Sequence, residues 1–179
     1  AQNQISEFKI NIQSLETLNL IQNKLIIMPL LSENLQKASY DSNFIKNMDK
    51  SSSTIKNLSI SLNYIEKVDD SLKMDELEKL DVSMNRISTI ENFSTKFPSL
   101  QYINLSFNLL REVPKSLSTS IVELDLSGNK IKTFSESIRY LSHLQKLDIS
   151  FNDLSEIPKL PSSLKQINAN NNIIQKVED

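Results

Sequence analysis

The sequence predicts an α/β fold, a right-handed solenoid of about eight repeats with a parallel β-sheet on its concave side. Aliphatic residues alternate before a recurring asparagine, as at Leu124 and Leu126 before Asn129. The spacing between successive asparagines is 20, 20, 22, 23, 21, 23 and 20 residues. A period of this length is typical of stacked structural repeats. The eight asparagines are Asn23, Asn43, Asn63, Asn85, Asn108, Asn129, Asn152 and Asn172.

Each repeat is expected to contribute one short strand. The alternation at Leu124 and Leu126 is the period-2 signal of a strand with one buried face. Strands of successive repeats would lie side by side, about 4.8 Å apart. We number each frame from its first aliphatic residue, so that the asparagine takes position 9. The frames are Leu15–Leu25, Leu35–Ile45, Ile55–Ile65, Leu77–Ile87, Leu100–Leu110, Ile121–Ile131, Leu144–Leu154 and Leu164–Ile174.

The recurring asparagine is expected to have a structural role. It follows the strand, where its side chain would point inward and bond backbone groups of adjacent coils. Buried polar side chains are tolerated when they are paired in this way. We therefore assign no binding role to these eight residues.

The frame reads L-x-x-L-x-L-x-x-N-x-L and resembles the leucine-rich repeat family over roughly residues 15–179. The resemblance implies a curved solenoid that binds protein partners through its concave side. Residues 129–144 look like the 23-residue repeats of Ras-interacting proteins, with one or two helical turns over 136–141. Residues 91–93 resemble the 22-residue class of a phosphatase regulatory subunit. Residues 157–164 are similar to the 20-residue class of bacterial effectors, which is extended and has no helix.

The two ends of the chain are expected to differ from the middle. Residues 1–14 carry Ile5, Phe8 and Ile10 at strand-like spacing and are interpreted as an N-terminal cap or incomplete repeat, followed by a repeat domain over 15–179. The last frame position, Val177, stands two residues before the C-terminus. The apolar end of the eighth repeat would then face water, which predicts a longer parent protein, a dimer through that end, or a poorly covered end.

Some frames depart from the aliphatic pattern. The second repeat has Ala38 and Tyr40 at core positions and is followed by the polar run 50–54, and the eighth has Ala169. Degenerate repeats near the ends are typical of solenoids.

Composition excludes several classes of function. The formal net charge of −2 and the pI of about 5.5 argue against a nucleic-acid partner. With no cysteine and a single histidine, His143, the chain has no set of metal ligands, and we expect no cofactor. The sequence offers no nucleophile–base pair and no glycine-rich phosphate loop, so we expect no enzyme activity. No apolar run reaches the ~18 residues of a membrane span. The lack of disulfides favours the cytoplasm, with secretion as the alternative.

Candidate binding residues follow from the frame, because positions 3, 5, 7 and 8 lie on or beside the concave surface. Tyr102, the one aromatic residue at position 3, is a suitable interface anchor. Three aspartates at position 5 could face a basic partner, and apolar residues at position 8 could form the rim. The predicted footprint, centred on Tyr102 and Asn104, comprises Lys79, Asp81, Tyr102, Asn104, Phe107, Glu123, Asp125, Lys146, Asp148 and Phe151.

Three hypotheses about function follow. The first is a protein–protein interaction module that forms the recognition domain of a larger signalling or effector protein. The second is a regulatory subunit of a protein phosphatase or another enzyme. The third is a fragment of an extracellular receptor or adhesion protein, whose usual cysteine-rich caps are absent from this sequence.

Overall fold

The computed structural model describes residues 3–9, 12–29, 32–48 and 54–178. Eight three-residue strands form one parallel sheet in the order β1-β2-β4-β6-β7-β8-β9-β11, which confirms the predicted solenoid. In chain order the strands are β1 (Thr17–Asn19), β2 (Lys37–Ser39), β3 (Asn47–Met48), β4 (Asn57–Ser59), β5 (Lys67–Val68), β6 (Lys79–Asp81), β7 (Tyr102–Asn104), β8 (Glu123–Asp125), β9 (Lys146–Asp148), β10 (Glu156–Ile157), β11 (Gln166–Asn168) and β12 (Lys176–Val177).

The strands of the large sheet occupy positions 3 to 5 of each frame. The residue at position 4 points inward, so Leu80 is buried while its neighbours Lys79 and Asp81 face the concave side. Strands pair in strict register, with Lys79 beside Tyr102 and Tyr102 beside Glu123. Residues at the same frame position therefore form straight rows across the sheet.

The frame asparagines connect each coil to the coil before it. The side-chain nitrogen of Asn129 donates to the carbonyl oxygen of Leu126 at 3.0 Å and to that of Leu105, one coil earlier, at 3.0 Å. Its side-chain oxygen accepts from the backbone N–H of Leu110 at 3.0 Å. Seven of the eight asparagines are buried, and Asn172 in the last frame is partly exposed. The predicted structural role is confirmed.

The convex side varies with the length of the repeat. Among the described residues, helix occurs only in the two intervals of 23 residues. One holds helix α1 (Phe93–Lys96) and the other holds a 3-10 helix (Glu136–Tyr140), close to the predicted turns over 136–141. The two-residue strands lie in shorter intervals or after the last frame asparagine, and they pair as β3–β5 and β10–β12. As expected, residues 157–164 form no helix.

A continuous apolar core fills the space between the sheet and the convex side. The added convex length brings in Phe93 and Phe97, both fully buried, with ring centroids 5.2 Å apart in an edge-to-face contact. Ala38 and Tyr40, the unusual residues of the second repeat, are both buried in the core. The side chain of Lys96 is buried as well, and its Nζ donates to the carbonyl oxygen of Asp70 at 3.2 Å.

The chain before the first frame adds to the first coil. The backbone N–H of Ile5 donates to Asn23 Oδ1 at 3.1 Å, and Lys24 N donates to Ile5 O at 2.8 Å. Ile10 and residues 50–53 lie outside the described residues, and the division at residues 1–14 stays a prediction. In the last coil Ile167 and Val177 are 41% and 62% exposed. A dimer through this end stays a prediction.

Candidate binding surface

The concave face of the sheet encloses an open hollow of about 590 Å³. The strand residues at positions 3 and 5 line it, because their side chains point away from the core. The structure thus brings eight of the ten predicted site residues to one surface: Lys79, Asp81, Tyr102, Asn104, Glu123, Asp125, Lys146 and Asp148. The other two, Phe107 and Phe151, do not line the hollow.

The row at position 3 is organised around Tyr102. The Nζ atom of Lys79 lies 4.6 Å from the centroid of the Tyr102 ring, a cation–π contact. On the other side of the tyrosine, Lys146 Nζ lies 2.7 Å from Glu123 Oε1. The hydrogen bond to Glu123, with the Coulomb attraction of its carboxylate, raises the pKa of Lys146. Tyr102 is half-buried between these charged groups, so its ring is held in place at the centre of the hollow.

The residue at position 5 ends six of the eight strands with a side-chain turn. One carboxylate oxygen of Asp125 accepts from the backbone N–H of Ser127 at 2.9 Å, and Asp81 accepts in the same way from Ser83 at 2.9 Å. Short polar side chains favour such turns because they bond the backbone two residues on. Among the described residues, the second oxygen of Asp81 and of Asp125 has no hydrogen-bond partner. These aspartates thus shape the turn and still offer an acceptor to a ligand.

The third repeat makes this turn with a residue from another coil, which sequence reasoning missed. Its position 5 is Ser59, and the backbone N–H of Ser61 donates instead to Asp41 Oδ1 at 2.7 Å. Asp41 also accepts from the hydroxyl of Ser59 at 2.7 Å. The sequence signal for this contact is an aspartate at position 7 of one frame and a serine at position 5 of the next.

Position 8 adopts a left-handed backbone in every frame. Leu62, Met84, Phe107 and Phe151 have φ of 52, 52, 52 and 53° and are exposed. The left-handed region disfavours side chains of this size, at about 1–3 kcal/mol for each strained residue. These four side chains lie beside the concave hollow, in the turn that follows each strand.

A second group of exposed side chains lies at position 10 and was also missed by sequence reasoning. The rings of Phe44 and Tyr64 stack with centroids 5.9 Å apart, and the Arg86 guanidinium lies 4.5 Å from the Tyr64 centroid. Together with Ile26 they line a hollow of about 490 Å³. Exposed Phe, Tyr and Arg at the same position of three successive frames are the sequence signal for this stack.

These surfaces offer side chains for non-covalent contacts. Among the described residues, no three potential metal-binding side chains come together. His143, considered as a ligand or base, lies on the convex side with Nδ1 3.0 Å from Thr119 O. No described helix is long and apolar enough to cross a membrane. The concave face instead presents a fixed aromatic ring, lysines and carboxylate acceptors.

Comparison with known families identifies the repeats. Residues 75–118 match a model of two leucine-rich repeats, and residues 120–141 and 140–155 match single-repeat models. No curated protein matches the chain significantly.

Several solved structures share the fold. YopM from Yersinia enterocolitica WA-314 is similar at 25% identity and a TM-score of 0.71, over 100% of this chain and 43% of that one. YopM of Yersinia pestis, described as a leucine-rich effector protein, has 22% identity and a TM-score of 0.78, over 93% and 46%. A chain of the complex of Latrophilin 3, Unc5D and FLRT2 has 17% identity and a TM-score of 0.75, over 98% and 74%. This chain thus spans less than half of the YopM structures, and the last two likenesses show the fold alone.

Proposed function

This chain belongs to the leucine-rich repeat family, and from that membership we infer that it binds a protein partner across its concave face. Leucine-rich repeat proteins generally mediate protein–protein interactions, typically as scaffolds without enzyme activity. The solved complex that contains FLRT2 is an assembly of several proteins. The proposed role is that of a recognition domain within a larger signalling or effector protein, and the similarity to YopM supports the effector alternative.

The observation that carries this proposal is the fixed position of Tyr102 between charged residues of its own row. Lys79 holds one face of the ring, and Glu123 on the other side is paired with Lys146. An aromatic side chain that is already ordered loses little conformational freedom on binding, so it contributes strongly to affinity.

The row of carboxylates indicates the charge of the partner surface. Asp81, Asp125 and Asp148 lie in one row, two residues along the strand from the row of Tyr102. The unpaired oxygens of Asp81 and Asp125 would accept hydrogen bonds from lysine or arginine of a partner. We therefore expect a partner surface with basic residues placed beside an apolar or aromatic contact to Tyr102.

Two other roles stay as alternatives. A fragment of an extracellular receptor or adhesion protein stays a prediction from the sequence. Regulation of a phosphatase, the cytoplasmic location and the absence of a cofactor stay predictions from the sequence.

The test is affinity purification with the full chain as bait, followed by measurement of the purified partner's affinity. Tyr102→Ala and Asp125→Lys should each weaken binding at least tenfold. Tyr140→Ala is the matched control, because Tyr140 is an exposed tyrosine on the convex side. Binding of the partner at wild-type strength by both concave variants would show that the footprint lies elsewhere.

A further inference from the structure

A strip of exposed apolar side chains runs along the edge of the solenoid, in the turns that follow the strands. Its members stand at positions 8 and 10, on either side of the buried frame asparagine. We call them the edge strip: Phe44, Leu62, Tyr64, Met84, Phe107 and Phe151, each 36–58% exposed. Exposed apolar side chains grouped in this way indicate a binding surface, whereas single ones do not.

The backbone at position 8 shows that folding alone does not require these side chains. Ser42, Gly128 and Asn171 occupy the same position with φ of 56, 65 and 55°. Serine, glycine and asparagine therefore satisfy the turn, and glycine and asparagine tolerate the left-handed region better than bulky residues do. Leu62, Met84 and Phe151 combine backbone strain with exposure to water, and both effects lower stability. Strain that the fold does not need is typical of functional positions.

Negative charge borders the edge strip on its concave side. Asp81 and Asp148 each stand three residues before a member of the strip, and Asp41 reaches the neighbouring turn of the third repeat. Basic residues lie on the position-10 side of the strip: Arg86 is engaged by the Tyr64 ring and lies 4.0 Å from Glu66, Lys46 lines the hollow beside Phe44, and Lys130 stands at position 10 of the sixth frame. The concave border therefore favours a partner that carries lysine or arginine on the flank that faces it, and disfavours an anionic lipid surface there.

The spacing of the strip selects the shape of the partner. Successive coils are about 4.8 Å apart. An α-helix presents one side chain per turn at 5.4 Å, whereas same-face residues of a strand are ~6.6 Å apart, so a helix fits the spacing better. The strip extends from the second frame to the seventh, with no member in the sixth, where Gly128 and Lys130 stand at positions 8 and 10. Its length is five spacings or roughly 24 Å, which corresponds to about 16 helical residues.

We propose that the edge strip binds an amphipathic α-helix of a partner protein, whose apolar face packs on the strip and whose basic flank faces the aspartates. Phe44, Tyr64 and Ile26 line the hollow that would receive a large side chain at one end of this helix. Four of its six residues lie outside the predicted concave footprint, and the two that belong to it, Phe107 and Phe151, do not line the concave hollow.

The probe is a displayed library of random 16-residue peptides selected on the full chain. Enriched peptides are then synthesised, and their affinity is measured by fluorescence anisotropy. We expect peptides that are rich in lysine or arginine, repeat apolar residues with helical periodicity and become helical when bound. The combined variant Leu62→Asn, Met84→Asn and Phe151→Asn should lose at least tenfold in affinity. Tyr140→Asn, on the convex side, should bind like the wild type, and so should Tyr102→Ala, which separates this surface from the concave footprint.

The stability of the triple variant is the second readout. Because asparagine relieves strain at position 8 and removes exposed apolar surface, its Tm should equal that of the wild type or exceed it by about 2 °C. A fall in Tm of more than about 5 °C would show that these side chains support packing. Acidic or non-helical peptides, the absence of enriched peptides, or unchanged affinity of the triple variant would overturn the proposal. The proposal would also be overturned if the wild type sedimented with phosphatidylcholine–phosphatidylserine vesicles, or self-associated in ultracentrifugation, and the triple variant did not.

Discussion

The ring of Phe107 covers the backbone of Gly128, so that a Cβ atom at residue 128 would lie 2.7 Å from Phe107 Cδ1 and 2.8 Å from Cε1. Gly128 is the one glycine of the sequence. The other seven residues at position 8 are not glycine and still adopt positive φ. Contact with Phe107 therefore explains this glycine better than backbone conformation alone.

Gly128→Ala should lower the free energy of unfolding by about 1–3 kcal/mol, because alanine meets both the left-handed backbone and the Phe107 ring. Chemical denaturation of Gly128→Ala, Phe107→Ala and the double variant measures the two effects separately. When Phe107 is already alanine, Gly128→Ala should lower the free energy of unfolding only through the left-handed backbone, by about 1 kcal/mol. Equal costs in both backgrounds would mean that the ring moves away freely.

Asn129→Ala should destabilise the solenoid by about 1–3 kcal/mol, because buried backbone groups such as Leu105 O and Leu110 N lose their partner. Asn172→Ala is the matched variant, since Asn172 makes the same bonds in a partly exposed frame where water can replace them. Urea denaturation should show the smaller loss for Asn172→Ala. Similar losses at both positions would contradict the importance of burial.

The bond from Ser61 N to Asp41 predicts a rescue between coils. Asp41→Ala should cost about 1 kcal/mol by removing the acceptor for Ser61 N. Adding Ser59→Asp should restore most of that loss, because an aspartate at position 5 accepts from the same N–H group in the way that Asp125 does. Thermal and urea denaturation of the single and double variants measure the recovery. If the double variant is no more stable than Asp41→Ala, the turn does not depend on this acceptor.

Tyr40 should make stability sensitive to alkaline pH. Its hydroxyl is buried and has no hydrogen-bond partner among the described residues, and burial raises the pKa of Tyr40 well above its usual range. The folded state therefore keeps its proton where the unfolded state loses it. The free energy of unfolding is therefore unaffected by this group below pH ~10, the usual pKa of tyrosine, and decreases as the pH rises further.

Tyr40→Phe provides the matched comparison for this pH effect. At neutral pH it should leave stability equal or raise it by up to ~1 kcal/mol, because it removes an unpaired buried hydroxyl. Urea midpoints between pH 8 and 12 should decline less steeply for Tyr40→Phe than for the wild type. Parallel curves would show that the hydroxyl reaches water in the folded state.

The sequence predicted the regular part of this molecule well because its signals are local. Alternation at Leu124 and Leu126 and the return of the asparagine depend on one repeat at a time, so strand positions and buried rows could be derived without knowing neighbouring coils. The predicted helical turns near residue 136 also depended on local pattern.

The candidate site was predictable only in part. The placement of Tyr102 beside Lys79 follows from the strict register of the strands, and eight of the ten predicted residues share the concave hollow. Phe107 and Phe151 do not line it, because position 8 is a left-handed turn that directs the chain away from the sheet. Their binding role is now part of the proposal for the edge strip.

By itself, the sequence determined the repeat architecture, the number of coils and the buried positions of the frame, since these follow from a short period repeated many times. Only the tertiary structure decided which residues of different coils touch. The Asp41–Ser59 bond, the Phe44–Tyr64 stack and the Phe107–Gly128 contact each join residues about one repeat apart. These contacts depend on backbone angles at the turns and on side-chain direction between stacked coils, and neither is encoded within a single repeat.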